Sequence, residues 1–154
     1  PNLTELCLLA GAEYDALLAH SADEDYLPQI AESARKLFAG AERLQTIIIT
    51  GIVIPKAGGE YIGNLIVTAS DDQHSYFETV YNGRSFSGTG DLFASVVIGG
   101  LVRGQSAAET VQLAMKFLQP SIEDAMRENV PRDHGVCFEK YLKILILTNL
   151  MAER

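Results

Sequence analysis

The chain has 154 residues, 47% hydrophobic and 21% charged, a balance that places it with globular domains and excludes an intrinsically disordered segment. Its 12 basic and 20 acidic residues leave a formal net charge of -8. That argues against nucleic-acid binding, which rests on clustered Lys and Arg meeting phosphates. No run reaches the roughly 18–20 apolar residues of a membrane-spanning helix, and the first residues lack the basic and apolar regions of a signal peptide, so the expected compartment is the cytoplasm.

In chain order the pattern alternates helices and strands. Asn2 to Leu9 reads as a short helix ended by Gly11. Asp23-Glu24-Asp25 with Pro28 announces another, through Ile30, Ala34, Leu37 and Phe38 to Gly40. Thr46-Ile47-Ile48-Ile49-Thr50 is a β-branched run of the kind buried on both faces of a parallel sheet, which predicts a central strand. Ile52 to Ile54, Tyr61 to Ala69 and His74 to Val80 are strand-like pieces separated by the turn signals Gly58-Gly59 and Ser70-Asp71-Asp72. They predict an antiparallel meander at the sheet's edge. Pro55 fits an edge or a strand end because it donates no ladder hydrogen bond. Gly90 to Arg103, closed by Gly104, reads as an apolar helix, and Ser106-Ala107-Ala108-Glu109 is a capping box opening a helix to about Arg127. A final helix is expected near Phe138 to Leu150. No repeat or linker separates two domains, so residues 1–154 read as a single domain.

Gly88-Thr89-Gly90-Asp91 carries the strongest chemical signal. Glycines let backbone approach an anion closely, and a helix's first turn offers unpaired N–H groups and the positive end of its dipole. Asp91 beside them suits proton removal from a hydroxyl during phosphoryl transfer. The alternative is an acidic residue in its favoured first-turn position beside a loop. Asn2 and Glu5 likewise stand at the spacing of a helix cap. Thr50 is either a strand terminus or a ligand contact at the end of a central strand, and Thr68 is either a strand residue chosen for shape or a nucleotide contact.

Other chemistry is poorly represented. Cys7 and Cys137 lie among apolar neighbours and read as buried, inert thiols. His20, His74 and His134 lack metal-ligand partners at short spacing. No glycine precedes Lys at P-loop spacing, Phe93 stands where a dinucleotide fingerprint needs its third glycine, and no G-x-S-x-G elbow is present. Arg84 and Lys56 read as surface charge.

Gly88-Thr89-Gly90-Asp91 followed by Leu-Phe-Ala resembles the anion-hole motif of the ribokinase-like kinases. Its company resembles their vitamin B6 branch, the pyridoxal (pyridoxine, pyridoxamine) kinases. Pro1-Asn2-Leu3-Thr4-Glu5 is similar to that branch's Pro-Asn-x-x-Glu segment, Ile47-Ile48-Ile49-Thr50 to a strand ending in a phosphate-contacting Thr, and Leu65-Ile66-Val67-Thr68-Ala69 to its next long strand. The related hydroxymethylpyrimidine phosphate kinases usually carry Cys where this chain has Asp91, so that residue favours the pyridoxal branch.

The resemblance implies an α/β, ribokinase-like sheet with flanking helices. This chain would supply the C-terminal nucleotide-binding half, with the vitamin-binding half absent through truncation or proteolysis. It further implies transfer of the ATP γ-phosphoryl group to the 5′-hydroxymethyl of a B6 vitamer, with Asp91 as base and Gly88 and Gly90 holding the transferred group. Thr50, Thr68, Gly88, Thr89 and Gly90 would contact nucleotide, Asn2 and Glu5 would lie near Mg²⁺, and the enzyme would be a cytoplasmic homodimer. Asp133-His134-Gly135-Val136 resembles a loop near the nucleotide. The isolated piece is expected to be inactive. A reading from another class is a non-catalytic binding or assembly module whose uncovered apolar surface pairs with a partner.

Overall fold

A computed structural model describes residues 1–146 of the chain. They divide into two compact units, Pro1–Gly83 and the part from Arg84 onward.

The first unit opens with α1 (Leu3–Ala10), whose capping box joins Asn2 and Glu5 and whose end is closed by Gly11 in the left-handed conformation. A six-residue helix, α2 (Tyr14–Ala19), follows, and then α3 (Tyr26–Arg35) tightens into a 3₁₀ segment, Lys36–Gly40. The sequence reading of one helix to Gly40 therefore holds only with a change of pitch at Lys36, and α2 went unread because its Tyr-Asp-Ala-Leu-Leu-Ala is too short to establish a period.

Three strands make an antiparallel sheet in the order β1 (Thr46–Lys56), β2 (Gly59–Thr68), β3 (His74–Val80). The predicted meander is present, and Pro55 sits at the end of β1 opposite Glu60. The antiparallel pairing along Thr46–Thr50 lies on one side of the strand, and on the other side Thr50 makes a parallel bridge to Asn2. Among the described residues that run pairs with β2 antiparallel and lies at the edge of the three-stranded order. Its apolar run is continuous because one face packs into the core and the other is half-covered. The strand also does not stop at Gly51: a register shift between Ile49 and Ile52 absorbs Thr50 and Gly51 as a bulge, and the left-handed φ of 71° falls where glycine has no Cβ penalty. Leu3, Leu6, Tyr26, Ile30, Ile47, Ile49, Ile52, Leu65 and Val67 form the core of this unit.

The second unit is built on α4 (Thr89–Val102) and α5 (Ala107–Arg127), with the Ser106–Glu109 capping box formed as expected. Gly100 is where they approach: an added Cβ would lie 2.3 Å from Thr110 Cγ2 and 2.6 Å from Gln105 Oε1. Phe86, Ala125 and Val136 form a buried cluster. The region expected to be a helix from Phe138 begins instead with a 3₁₀ turn, Glu139–Tyr141, and is helical over residues 143–146; its remainder lies outside the described residues. Asp124, 4% exposed, anchors that turn by pairing with Lys140 and accepting a hydrogen bond from Tyr141, while Arg127 pairs with it from its own helix. These donors hold its carboxyl down to about 2.

No described helix is long and apolar enough to cross a membrane. Cys7 is buried as expected, and burial pushes its thiol up, with Glu13 adding to the effect. Cys137 is exposed, which corrects the reading of two buried thiols. Its apolar neighbours Val136 and Phe138 turn toward the α5 cluster and leave the intervening residue outside.

Candidate functional site

The predicted anion cradle is a helix start. Gly88 is the N-cap residue of α4, at φ 80° and ψ -8°, a left-handed conformation that a side chain would strain. It offers no side chain to cap the helix. Thr89 does not substitute for one, because its hydroxyl donates backward to the Phe86 carbonyl at 2.9 Å. The first closing bond is Leu92 N–H to the Gly88 carbonyl at 3.0 Å. The amides of Thr89, Gly90 and Asp91 are therefore the open donors of the first turn. Gly90 is exposed, and an added Cβ there would meet nothing within 4 Å. Asp91 is exposed in the same turn, and its backbone carbonyl accepts from the Ser95 hydroxyl at 2.7 Å.

The base of this turn is fixed from behind. Ser87 N–H donates to the Arg132 carbonyl at 2.9 Å, and Gly135, at φ 73°, lets its loop come so close that a Cβ would lie 3.1 Å from the Ser87 carbonyl. The Asp133–Val136 loop singled out in the sequence is thus a backbone brace for the glycine turn. Arg132, which the sequence reading passed over, supplies the bond through its carbonyl, a contact that no side-chain pattern announces.

In the first unit the structure brings three predicted residues together. Asn2 and Thr50 form an isolated parallel bridge, with Thr50 N–H donating to the Pro1 carbonyl at 2.9 Å. Glu5 N–H donates to Asn2 Oδ1, and Asn2 N–H to Glu5 Oε2, each at 2.9 Å. The capping role is therefore real, and it leaves the exposed Glu5 with Oε1 uncommitted among the described residues. One carboxylate with a neighbouring amide fits Mg²⁺, which is held by one or two carboxylates, waters and substrate phosphates. No cluster of three or more His, Cys, Asp or Glu suited to a metal occurs among the described residues. Thr68 is apart from this group: it pairs with Thr46 at the beginning of β1.

Both basic residues left out of the catalytic set are engaged. Lys56 pairs with Glu78 and lies over the Tyr61 ring. Arg84 donates to Asn129 Oδ1 at 3.3 Å and to the Val130 carbonyl at 3.0 Å. A separate apolar cavity of about 480 Å³, walled by Leu92, Val96, Phe117, Phe138 and Leu142, contains none of Gly88, Thr89, Gly90 or Asp91.

With this geometry in view, comparison with known proteins is decisive for the family: the phosphomethylpyrimidine kinase model matches residues 1–136. The chain belongs to the phosphomethylpyrimidine kinase family. A Bacteroides thetaiotaomicron VPI-5482 protein designated a phosphomethylpyrimidine kinase superposes with a TM-score of 0.74 at 25% identity, covering 92% of this chain and 45% of the other. Its orthorhombic crystal form, solved with pyridoxal, gives 0.63 at 24% identity over 94% of this chain and 47% of the other. Pyridoxal kinase from Lactobacillus plantarum gives 0.68 at 26% identity over 97% and 49%. No curated protein gave a significant match. This family member spans about half the length of the solved relatives it matches. Its α/β fold is that of the pyridoxal and phosphomethylpyrimidine kinases, ribokinase-like, as the motifs implied.

Proposed function

We propose that the chain carries the phosphate-handling part of an ATP-dependent kinase that phosphorylates the 5′-hydroxymethyl group of pyridoxal, pyridoxine or pyridoxamine. The observation that carries this reading is the start of α4, where no side chain caps the first turn and its three open amides lie beside an exposed carboxylate.

In this reading the amides of Thr89, Gly90 and Asp91 receive the γ-phosphoryl oxygens, at the positive end of the helix dipole. Gly90 admits the phosphate to hydrogen-bond distance. Asp91 orients the acceptor hydroxyl and takes its proton as the new O–P bond forms and the bond to ADP breaks. The proton leaves late in a loose transition state, so placement of Asp91 matters more than its basicity. Glu5 Oε1, positioned by the Asn2 cap, would hold Mg²⁺ through water, and the ion when bound neutralises charge on the phosphate oxygens. Thr50 and Thr68 would contact nucleotide. Such an enzyme would work in the cytoplasm as a homodimer.

Asp91 supports the B6 branch, because the pyrimidine branch usually carries Cys there. The matching family model supports the second reading, phosphorylation of hydroxymethylpyrimidine or its phosphate. The product of the complete coding sequence, assayed with ATP against pyridoxal and against hydroxymethylpyrimidine, separates the two by the ratio of kcat/KM. Asp91→Asn is expected to lower kcat by about 10²–10⁴, the range of a lost general base, with MgATP affinity kept. A variant retaining over about a tenth of the rate removes Asp91 from that role. Absence of transfer to either acceptor leaves the non-catalytic binding module as the reading.

A further inference from the structure

The apolar cavity of the second unit, about 480 Å³, has the size of a small-molecule pocket, and its walls come from α4, α5 and the segment from Phe138 onward. Leu92, Val96, Leu113, Phe117 and Phe138 supply apolar surface, and the two phenyl rings meet edge-on, with centroids 6.3 Å apart and planes at 70°. Two polar side chains interrupt that surface. Gln105 lines the cavity, and its Oε1 is buried with no hydrogen-bond partner among the described residues. The turn at Gly104, with φ 85°, brings Gln105 back over α4, where its backbone N–H donates to the Gly100 carbonyl at 3.1 Å. Oε1 then lies so close to Gly100 that an added Cβ would be 2.6 Å away. The backbone thus holds this acceptor against α4 and out of water, where leaving it unpaired is costly. Arg103 also lines the cavity, is exposed, and its side chain makes no hydrogen bond or ion pair among the described residues. An exposed cation on the wall stands at the mouth.

We propose that this cavity binds a small aromatic carboxylate that carries one ring N–H or O–H donor. The ring packs against Leu92, Phe117 and Phe138, the donor meets Gln105 Oε1, and the carboxylate pairs with Arg103 at the mouth. The wall chemistry selects that combination. A wholly apolar molecule would leave Oε1 unpaired, and a polyanion would bring more charge than one guanidinium beside apolar walls can compensate. None of Gly88, Thr89, Gly90 or Asp91 lines the cavity, so the proposal does not depend on the kinase reading.

The test is calorimetric titration of the 154-residue chain with indole-3-acetate, whose ring N–H and carboxylate are the two groups required, beside naphthalene-1-acetate, which keeps the carboxylate and a fused ring but lacks the donor. Indole-3-acetate is expected to bind at a single site with a Kd below about 1 mM, and naphthalene-1-acetate about fivefold or more weakly. Arg103→Gln, a change at an exposed position, should weaken indole-3-acetate by about 10–150-fold. Gly99→Leu sends a side chain from a cavity-wall position where an added Cβ meets no other atom, and should weaken binding by more than about tenfold with Tm kept. Absence of saturable binding to the native chain overturns the proposal, and if a form ending at Ile146 then binds, residues 147–154 are the occupant instead. Equal affinity for the two probes, or an affinity indifferent to both substitutions, overturns it as well, because the probe then sits away from Gln105 or outside the cavity.

Discussion

Replacing Gly90 by Ala separates a phosphate cradle from an ordinary helix start, because both roles predict a more stable helix and only the cradle predicts weaker MgATP binding. Gly90 lies in the first turn of α4, has no positive φ, and its added Cβ would meet no atom within 4 Å. Neither backbone conformation nor internal packing requires glycine there. Alanine should therefore stabilise the helix, by about 0.5–1 kcal/mol, which for a chain of this size raises Tm by roughly 1–4 °C. In the proposed reading, phosphate docked on these first-turn amides would sit beside the added methyl group. Losing one hydrogen bond to a charged group costs about 1.5–3 kcal/mol, equivalent to a MgATP affinity roughly 10–150-fold weaker. Thermal unfolding and calorimetric titration with MgATP, run on the same preparations, measure both. A raised Tm with affinity unchanged within about twofold, or no measurable MgATP binding by the unsubstituted chain, refutes the assignment of these amides to phosphate.

Three further outcomes follow from the structure. Gly100→Ala drives a methyl into Thr110 and Gln105 and should cost about 1–3 kcal/mol, lowering Tm by roughly 2–12 °C, while Gly99→Ala, which faces open space, should cause no loss; equal effects at the two positions would contradict the α4–α5 approach. The Asp124 carboxyl is depressed from 3.8 to about 2 by Lys140 and Tyr141, so its stabilising contribution is complete above pH 4 and is lost as pH falls toward 2. The Tm advantage of the native chain over Asp124→Asn should shrink across that interval, and parallel curves would dismiss the stabilising role of the Asp124–Lys140 pair. A chromogenic disulfide reagent should titrate exposed Cys137 quickly in the native chain and Cys7 only after unfolding, and two fast thiols would show that the α1 core does not cover Cys7.

The legible parts of this fold are those in which local chemistry and tertiary structure agree. Asn2 with Glu5, and Ser106 with Glu109, specify their helix starts through reciprocal bonds that form wherever the spacing occurs, and both are present. Gly58-Gly59 and Ser70-Asp71-Asp72 locate the turns of the meander to within a residue or two. The misread elements depend on partners that sequence does not name. An apolar run such as Ile47-Ile48-Ile49 reports that both faces meet covering groups, but neither the direction of the neighbouring strand nor its side, and only pairing with β2 shows the antiparallel order. Within the candidate site, the start of α4 at Gly88 to Asp91 was legible because a glycine turn followed by an acidic residue and an apolar run is a helix-start pattern. The Arg132 and Gly135 brace was hidden because it acts through backbone atoms.

The proposed assignment of phosphate to α4 rests on the distribution of satisfied and open polar groups. α1 and α5 close their first turns with capping boxes. α3 places Tyr26 N–H on the Asp23 carbonyl and has Pro28, without a donor, in its first turn. Lys56 and Arg84, the cations nearest in sequence to the glycine turn on its N-terminal side, are committed to Glu78 and to Asn129 and Val130. The six-residue α2 also lacks a side-chain cap, but it has neither a glycine turn nor a brace behind it. At α4 the Thr89 hydroxyl is bonded away from the turn, Gly88 holds a conformation open to few other residues, and a second loop is packed closely enough to require Gly135. A loop kept only for connection would not need all three. In the proposed reading, three first-turn amides without intrahelical partners form a backbone-built site that can attract phosphate in an acidic protein without altering the overall charge.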